Sequence, residues 1–291
     1  MAIKRMSAFR HQKQLNRSFA VTFMLFVLLA LFGAFMALPL IYTINNAFKP
    51  LDELFLFPPR FFVRNPTFDN FYDLVYLIGN SWVPFSRYLS NTIFITLLGT
   101  AGHVIFASAA AYPLAKYKFP GSKTLSTIVV LSLMFSGHVT AIPNYMIMSR
   151  LGWIDTHASI IIPAWAFPLG LFLMRQFMEQ LPSSLLEAAK MDGASEYRIF
   201  WQIVMPNVKP AWLTLIILRL PSLWGSDGGS FIYSENLKTL NYALGQITQG
   251  GIARAGVGAA IGLVLMIVPI TMFIISQSNV IQTMATSGIK D

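Results

Sequence analysis

An all-α polytopic membrane protein with six transmembrane helices is predicted, and three observations carry the prediction. Hydrophobic residues make up 55% of the 291-residue chain and charged residues 11%. A soluble domain carries about 25% charged residues, so this chain has too few to cover a water-facing surface. Six apolar stretches are each long enough for a ~30 Å hydrocarbon core, which takes about 20 helical residues. Lys and Arg gather on alternate connections, as the positive-inside rule requires of a multi-pass chain.

The first stretch, 19–44, follows a tail (1–18) carrying Lys4, Arg5, Arg10, Lys13 and Arg17. Its apolar run far exceeds the roughly 7–15 residues of a signal-peptide core, so it reads as an uncleaved span. Residues 45–87 form an outside loop with Phe55, Phe57, Phe61, Phe62, Phe68, Phe71, Tyr72, Tyr76 and Trp82, punctuated by Pro58, Pro59, Pro66 and Pro84. Two readings stay open for this loop: an interfacial aromatic belt with short amphipathic pieces, or a docking surface for an external partner. The second and third stretches, 88–114 and 124–148, flank a short connection with Lys116, Lys118 and Lys123. The fourth, 158–178, and the shortest, 207–223, flank a longer connection that holds most of the information. A second outside loop, 224–255, opens Trp224-Gly-Ser-Asp-Gly-Gly-Ser230. Its glycines allow tight turns, and an amphipathic segment follows around Leu237–Ile247. The sixth stretch, 256–280, contains a GxxxG pair, Gly258 and Gly262, suited to close helix packing. With the N-terminus inside, thirteen Lys and Arg fall on the cytoplasmic side and seven on the other, with Arg219 near the outer end of the fifth stretch. Both termini are therefore placed in the cytoplasm. One transmembrane domain, 19–291, follows the tail, with cytoplasmic helices at about 182–205.

Several chemistries are excluded. The chain has no cysteine, which removes thiol nucleophiles, redox pairs, disulfides and Cys-ligated zinc. His11, His103, His138 and His157 lie far apart without metal-ligand spacing, so no metal site is expected. His103 falls inside the second stretch, where hydrogen bonding to a neighbouring helix is the expected use. Gly121-Ser-Lys-Thr124 lacks the earlier glycine and the Gly-Lys-Ser/Thr run of a phosphate-binding loop. No GxSxG elbow marks a nucleophile. The +9 charge is explained by membrane topology, without nucleic acid. None of the twelve Asp and Glu lies well inside a span, whereas proton- or sodium-coupled carriers place ionisable groups near the midplane. If the chain pumps, energy must come from elsewhere.

The fourth connection reads Glu179-Gln-Leu-Pro182-Ser-Ser-Leu-Leu-Glu187-Ala-Ala-Lys-Met-Asp192-Gly-Ala-Ser-Glu-Tyr-Arg-Ile-Phe200-Trp-Gln-Ile-Val-Met-Pro206. Ser184 and Glu187 have capping-box spacing, and Pro182 suits a helix start. Gly193 is the expected stop, where a left-handed backbone costs glycine nothing. Ser195 then caps a second helix with Glu196 in its first turn. Phe200, Ile203 and Val204 give that helix an apolar side, and Pro206 is expected to close it. Ala188 and Ala189 present little bulk, so the first helix can sit deep in a groove. Physics alone gives two short helices about a glycine turn, and leaves open an ordinary amphipathic connector.

Glu187-Ala-Ala-x-x-Asp-Gly-Ala194, with Phe200, Ile203 and Pro206, resembles the EAA motif of permease subunits of ATP-binding-cassette importers. Met205 stands where leucine is common. The resemblance covers most of the chain and is nearest the smaller permease of maltose-type carbohydrate importers. The tail Ala285-Thr-Ser-Gly288-Ile-Lys290-Asp291 is similar to the short Gly-x-Lys tail of that group, with Asp291 replacing the final glycine. The resemblance implies the type I importer permease fold in a bacterial-type cytoplasmic membrane. It implies a transport subunit that is not itself an enzyme and couples ATPase closure to alternating access. Its partners would be a second, non-identical permease, two ATPase subunits that bind ATP and magnesium, and an extracytoplasmic solute-binding protein. This chain itself would bind no cofactor. Glu187, Ala188, Ala189, Asp192, Gly193, Ala194, Phe200 and Pro206 would form the ATPase-coupling site, with Gly288 and Lys290 as a possible tail contact.

Sugars are held by aromatic faces with amide and hydroxyl groups. Asn144, Tyr145, Trp165, Trp224, Asn241 and Tyr242 are the pathway residues expected on that ground, Trp224 foremost, against a reading as interfacial aromatics and helix packing. An importer for another solute class, or an ATP-independent carrier or channel, remains the alternative.

Overall fold

Helices are the only regular elements in the computed structural model, which describes residues 19–80 and 82–287, with side chains described for all of these except 252 and 278–287. The N-terminal tail, Gly288 and Lys290 lie outside the described residues. The first expected span is α1 (Phe19–Ala47), which packs on the last helix and leaves nearly every side chain exposed. Its sequence is apolar all round, so lipid satisfies its outer faces. The second is α4 (Phe85–Lys116), the most buried of the long helices. The fourth crosses as α7 (Ala158–Trp165) and α8 (Pro168–Glu179), interrupted at Ala166–Phe167. The sixth is α14 (Ala255–Ser287).

Two other spans are bent sharply. Instead of one helix over 124–148, the chain forms α5 (Ser122–Ser132) and α6 (Gly137–Arg150), bent by 111°. Ser136 is extended (φ −73°, ψ 153°) and Gly137 opens the next helix. At 1.5 Å per residue the halves are about 16 and 21 Å long, and the 111° bend turns the second partly back on the first, so their lengths do not add as in a straight span. Hydropathy averaged over the stretch could not register a break made of Leu133-Met-Phe-Ser136. The fifth span is α12 (Lys209–Trp224), which meets the preceding helical run Glu196–Asn207 at 74°. The bend falls at Val208 beside Pro210, whose missing N–H suits the first turn of the new helix.

The short elements cluster at two ends. At one end lie the 117–121 connection and the segment 180–208, tied together by Lys116, whose Nζ donates to the carbonyls of Leu181 (2.6 Å) and Glu179 (3.2 Å). At the other end lie α2 (Leu51–Leu54), α3 (Asp69–Gly79), the turn 151–157 and α13 (Leu240–Thr248). The first long loop is more than an aromatic fringe. Buried Asn70 donates to the carbonyls of Ala47 (3.0 Å) and Lys49 (2.7 Å), and Glu53 accepts the backbone N–H of Arg64 (2.9 Å). Asp155, at φ +60°, accepts the N–H groups of Tyr233 (2.9 Å) and Ser234 (2.7 Å) on one oxygen and the Ser234 hydroxyl on the other. Those bonds to the charged form hold its carboxyl below the usual range. Gly258 and Gly262 face Thr248 of α13 and Thr43 of α1, where an added Cβ would lie 3.5 and 3.4 Å from the threonine methyls, so the packing there is of ordinary closeness and does not require the glycine pair.

Candidate functional site

The segment 183–207 is a bent pair of helices embedded in the main core. α9 (Ser183–Met191) ends on Gly193 at φ +77°. The Gly193 N–H reaches the Lys190 carbonyl and the Ala194 N–H the Ala189 carbonyl, each at 3.0 Å. That pair of bonds is a Schellman stop, and only glycine takes the left-handed position freely. Ser195 then caps α10 (Glu196–Ile199) by accepting the Arg198 N–H at 3.4 Å. Both features follow the sequence reading.

Three expectations are corrected. Ser184 caps nothing: the helix opens at Ser183, with Pro182 at the cap position, two residues earlier than expected. Its register is set by Leu186 and Ala189, which must face the core. Ala189 is therefore buried against the chain's own helices, not free for a partner's groove; Glu187, Ala188, Asp192 and Gly193 are exposed. Pro206 does not close the second helix. A wider π turn, Phe200–Val204, carries the chain past it into α11 (Met205–Asn207), with the Met205 N–H reaching back to the Phe200 carbonyl. In a regular helix the Pro206 ring would collide with the carbonyl four residues back, and the wide turn relieves this.

Leu186, Ala189, Ile199, Phe200 and Val204 share one core with Ala107 and Ala111 of α4, Met174 and Met178 of α8, and Ala211 and Leu215 of α12. Ala194 packs against it. A polar lattice braces the same joint. Lys190 pairs with Glu196 across the glycine bend at 2.7 Å, and Glu196 accepts the hydroxyls of Tyr117 (2.5 Å) and Tyr112 (3.2 Å) at the end of α4. The Glu196 bond raises the Lys190 pKa, and the Lys190 and Tyr117 bonds lower that of Glu196. Sequence reasoning missed Lys190, Tyr112 and Tyr117 as a unit. Their signal was opposite charges six residues apart across a glycine stop. On the outside the pair of helices shows Met191 and Tyr197, 88% and 76% exposed.

The expected pathway residues are not brought together. Trp165 packs over Gly102, where a Cβ would meet its Nε1 at 2.0 Å, and donates to the Leu98 carbonyl at 3.0 Å. Trp224 is buried, and its indole N–H is spent on the Leu265 carbonyl at 3.0 Å. Pro269 stands four residues beyond Leu265 and has no N–H to give it. Trp224 is a helix-to-helix cap in this conformation, not a stacking face at a mouth. Asn241 donates to the Gly225 carbonyl at 2.7 Å, and Tyr242 lies under the Lys238 ammonium at 4.2 Å. Tyr145 stacks on Phe231 at 6.2 Å and meets the Tyr233 hydroxyl at 3.0 Å, while Asn144 is exposed nearby on α6.

The break in the fourth span explains two further polar residues. Pro168 deprives the Ala164 carbonyl of its helical donor, and Arg219 Nε takes its place at 3.2 Å. His103, fully buried, binds the freed Trp165 carbonyl through Nδ1 at 2.9 Å. A carbonyl only accepts, so the proton sits on Nδ1. His103 thus makes the interhelical bond expected of it.

Residues 102–285 match the family described as the inner-membrane component of binding-protein-dependent transport systems. The chain belongs to this family. It is 35% identical over 245 residues to protein LplC of Bacillus subtilis (strain 168), covering 82% of this chain and 78% of that one. It is 29% identical over 269 residues to the arabinooligosaccharides transport system permease protein AraQ of Halalkalibacterium halodurans, covering 89% and 93%. Its fold is similar to that in the crystal structure of a bacterial transporter that imports the acidic polysaccharide alginate, with a TM-score of 0.74, 24% identity and coverage of 89% and 96%. The type I importer permease fold implied by the resemblance is therefore the fold observed.

Proposed function

We propose that this chain is the smaller permease of an ATP-driven importer for oligosaccharides, and that segment 183–207 transmits ATPase closure to the spans. One observation carries the coupling reading: the segment shares a core with α4, α8 and α12 while presenting Glu187, Ala188, Met191, Asp192 and Tyr197 bare. A body that is rigid inward and uncovered outward passes a push from a partner straight to the spans. On this reading two ATPase subunits bind ATP and magnesium and close on this segment and on its counterpart in a second permease. The spans then rock between inward- and outward-facing states, and a solute-binding protein delivers sugar from outside. Gly288 and Lys290 belong to this proposal as a tail contact. The arabinooligosaccharide function named for AraQ supports the substrate class.

Two variants test it. Ala188→Arg puts a long charged chain on the bare face. Gly193→Val meets no neighbouring atom but forces a β-branched residue to φ +77°, a conformation strongly disfavoured for it. Both should insert at normal level, lose sugar uptake and release the ATPase on co-purification. Normal ATPase retention and uptake in both would reduce the segment to a surface connector.

A further inference from the structure

A cavity of about 290 Å³ lies between α7, α12 and the glycine-rich loop after α12, at the small end of small-molecule sites, which begin near ~300 Å³. Arg219 lines it. This is the sole charged side chain between Lys209 and Asp227, and charged groups within spans mark pathways or water-filled cavities. The bond from Nε to Ala164 and the placement over the Phe167 ring at 5.1 Å occupy one nitrogen and one face of the guanidinium. Neither Nη has a hydrogen-bond or ion-pair partner among the described residues. Nor is either among the buried polar atoms left unpaired, so both meet open space. Capping a carbonyl needs no charge: Trp224 does the same for Leu265 with a neutral N–H. The charge and the four N–H groups of the two Nη nitrogens are left for a ligand.

The rest of the lining complements them. Gly228 and Gly229, at φ +87° and +52°, fold the loop so that Asp227 and Phe231 line the same cavity. Asp227 is exposed and spends Oδ1 on the Gly229 N–H at 2.8 Å, while Oδ2 has no partner among the described residues and can accept. Ser222 adds an exposed hydroxyl, and Phe231, held by Tyr145, adds a ring. A donor fork, a carboxylate acceptor, a hydroxyl and an aromatic wall match a ring whose hydroxyls both donate and accept and whose C–H face is apolar. One cation and one anion leave the lining neutral.

We propose that this cavity is a sugar-contact subsite of this chain and takes one ring of a neutral oligosaccharide. The proposal rests on the carbohydrate reading above. Its test uses the reconstituted importer with all its partner subunits, and uptake of galactotriose, arabinotriose and trigalacturonate. A neutral trisaccharide should be taken up. Arg219→Gln and Phe231→Ala should each raise its KM, the first by about tenfold as for a lost charge-assisted hydrogen bond. Because Arg219 also caps Ala164, a second measurement is independent of it. Ser222→Cys, in a chain with no other cysteine, should react with a small hydrophilic thiol reagent severalfold more slowly when that trisaccharide is present. Neutral uptake with unprotected Ser222→Cys and an unchanged KM in Phe231→Ala overturns the subsite. Uptake of trigalacturonate alone overturns the neutral assignment. Uptake of none of the three, with ATP hydrolysis unstimulated by them, strikes the carbohydrate reading itself.

Discussion

At Gly170 the absence of a side chain makes room for an imidazole: a Cβ there would lie 2.0 Å from Nε2 of His103. His103 cannot retreat, because it is fully buried and bonded to the Trp165 carbonyl. Gly170→Ala should therefore cost about 1–3 kcal/mol, the range for overpacking a filled core. The double variant Gly170→Ala with His103→Ala should lose less than the sum of the singles, since the methyl enters the space the ring leaves. Thermal unfolding in detergent of the four proteins checks this, and strict additivity would contradict the contact. The sequence marked His103 as a polar residue in a span. It held no sign of which glycine received the ring, because that pairing joins residues 67 positions apart. Trp224 fails to be legible for the same reason. A tryptophan at a span end reads as an interfacial residue, whereas its partner is the Leu265 carbonyl, 41 positions away and freed by Pro269.

Local rules served well where the chain answered only to itself. The Gly193 stop and the Ser195 cap are set by backbone geometry within a few residues, and both formed as read. Ser184 was misread because burial of Leu186 and Ala189 outweighs a cap worth about 1 kcal/mol. The break in the third span was invisible to hydropathy for a different reason: all four residues that make it are compatible with a helix. Asp155 gives a further test at this scale, since one carboxylate holds the turn 151–157 to the loop after α12. Its folded pKa is lowered, chiefly by the Ser234 hydroxyl and the Ser234 and Tyr233 N–H groups. The contribution is therefore complete above the unfolded value, near ~3.9, and fades as pH falls from there through the folded value. Thermal unfolding of the wild type should show this extra acid sensitivity relative to Asp155→Asn, which has no carboxylate to titrate. Parallel pH curves for the two proteins would remove the clamp.

Across the whole molecule the helices divide the connections between two ends, and side-chain bonds fix which connections share an end. Lys116 joins the 117–121 turn to the segment that begins at Leu181. Asp155 joins the 151–157 turn to Tyr233 and Ser234, and Tyr88 reaches Glu235 at 2.6 Å in the same region. Ser122, at the start of α5, and Ser230, in the glycine-rich loop, therefore belong to opposite ends. Which end faces the cytoplasm is a separate matter, decided by charge: the connection holding Lys116, Lys118 and Lys123 and the segment holding Lys190, Arg198 and Lys209 lie at the same end. We propose on the positive-inside rule that this end faces the cytoplasm, where an ATPase would meet Ala188 and Asp192. Because the chain is free of cysteine, single replacements report position without background. An impermeant thiol reagent should label Ser230→Cys in intact cells and Ser122→Cys only after the membrane is opened. Labelling of both from one side would break the span count. Labelling of Ser122→Cys alone in intact cells would invert the molecule and turn the coupling segment away from any ATPase.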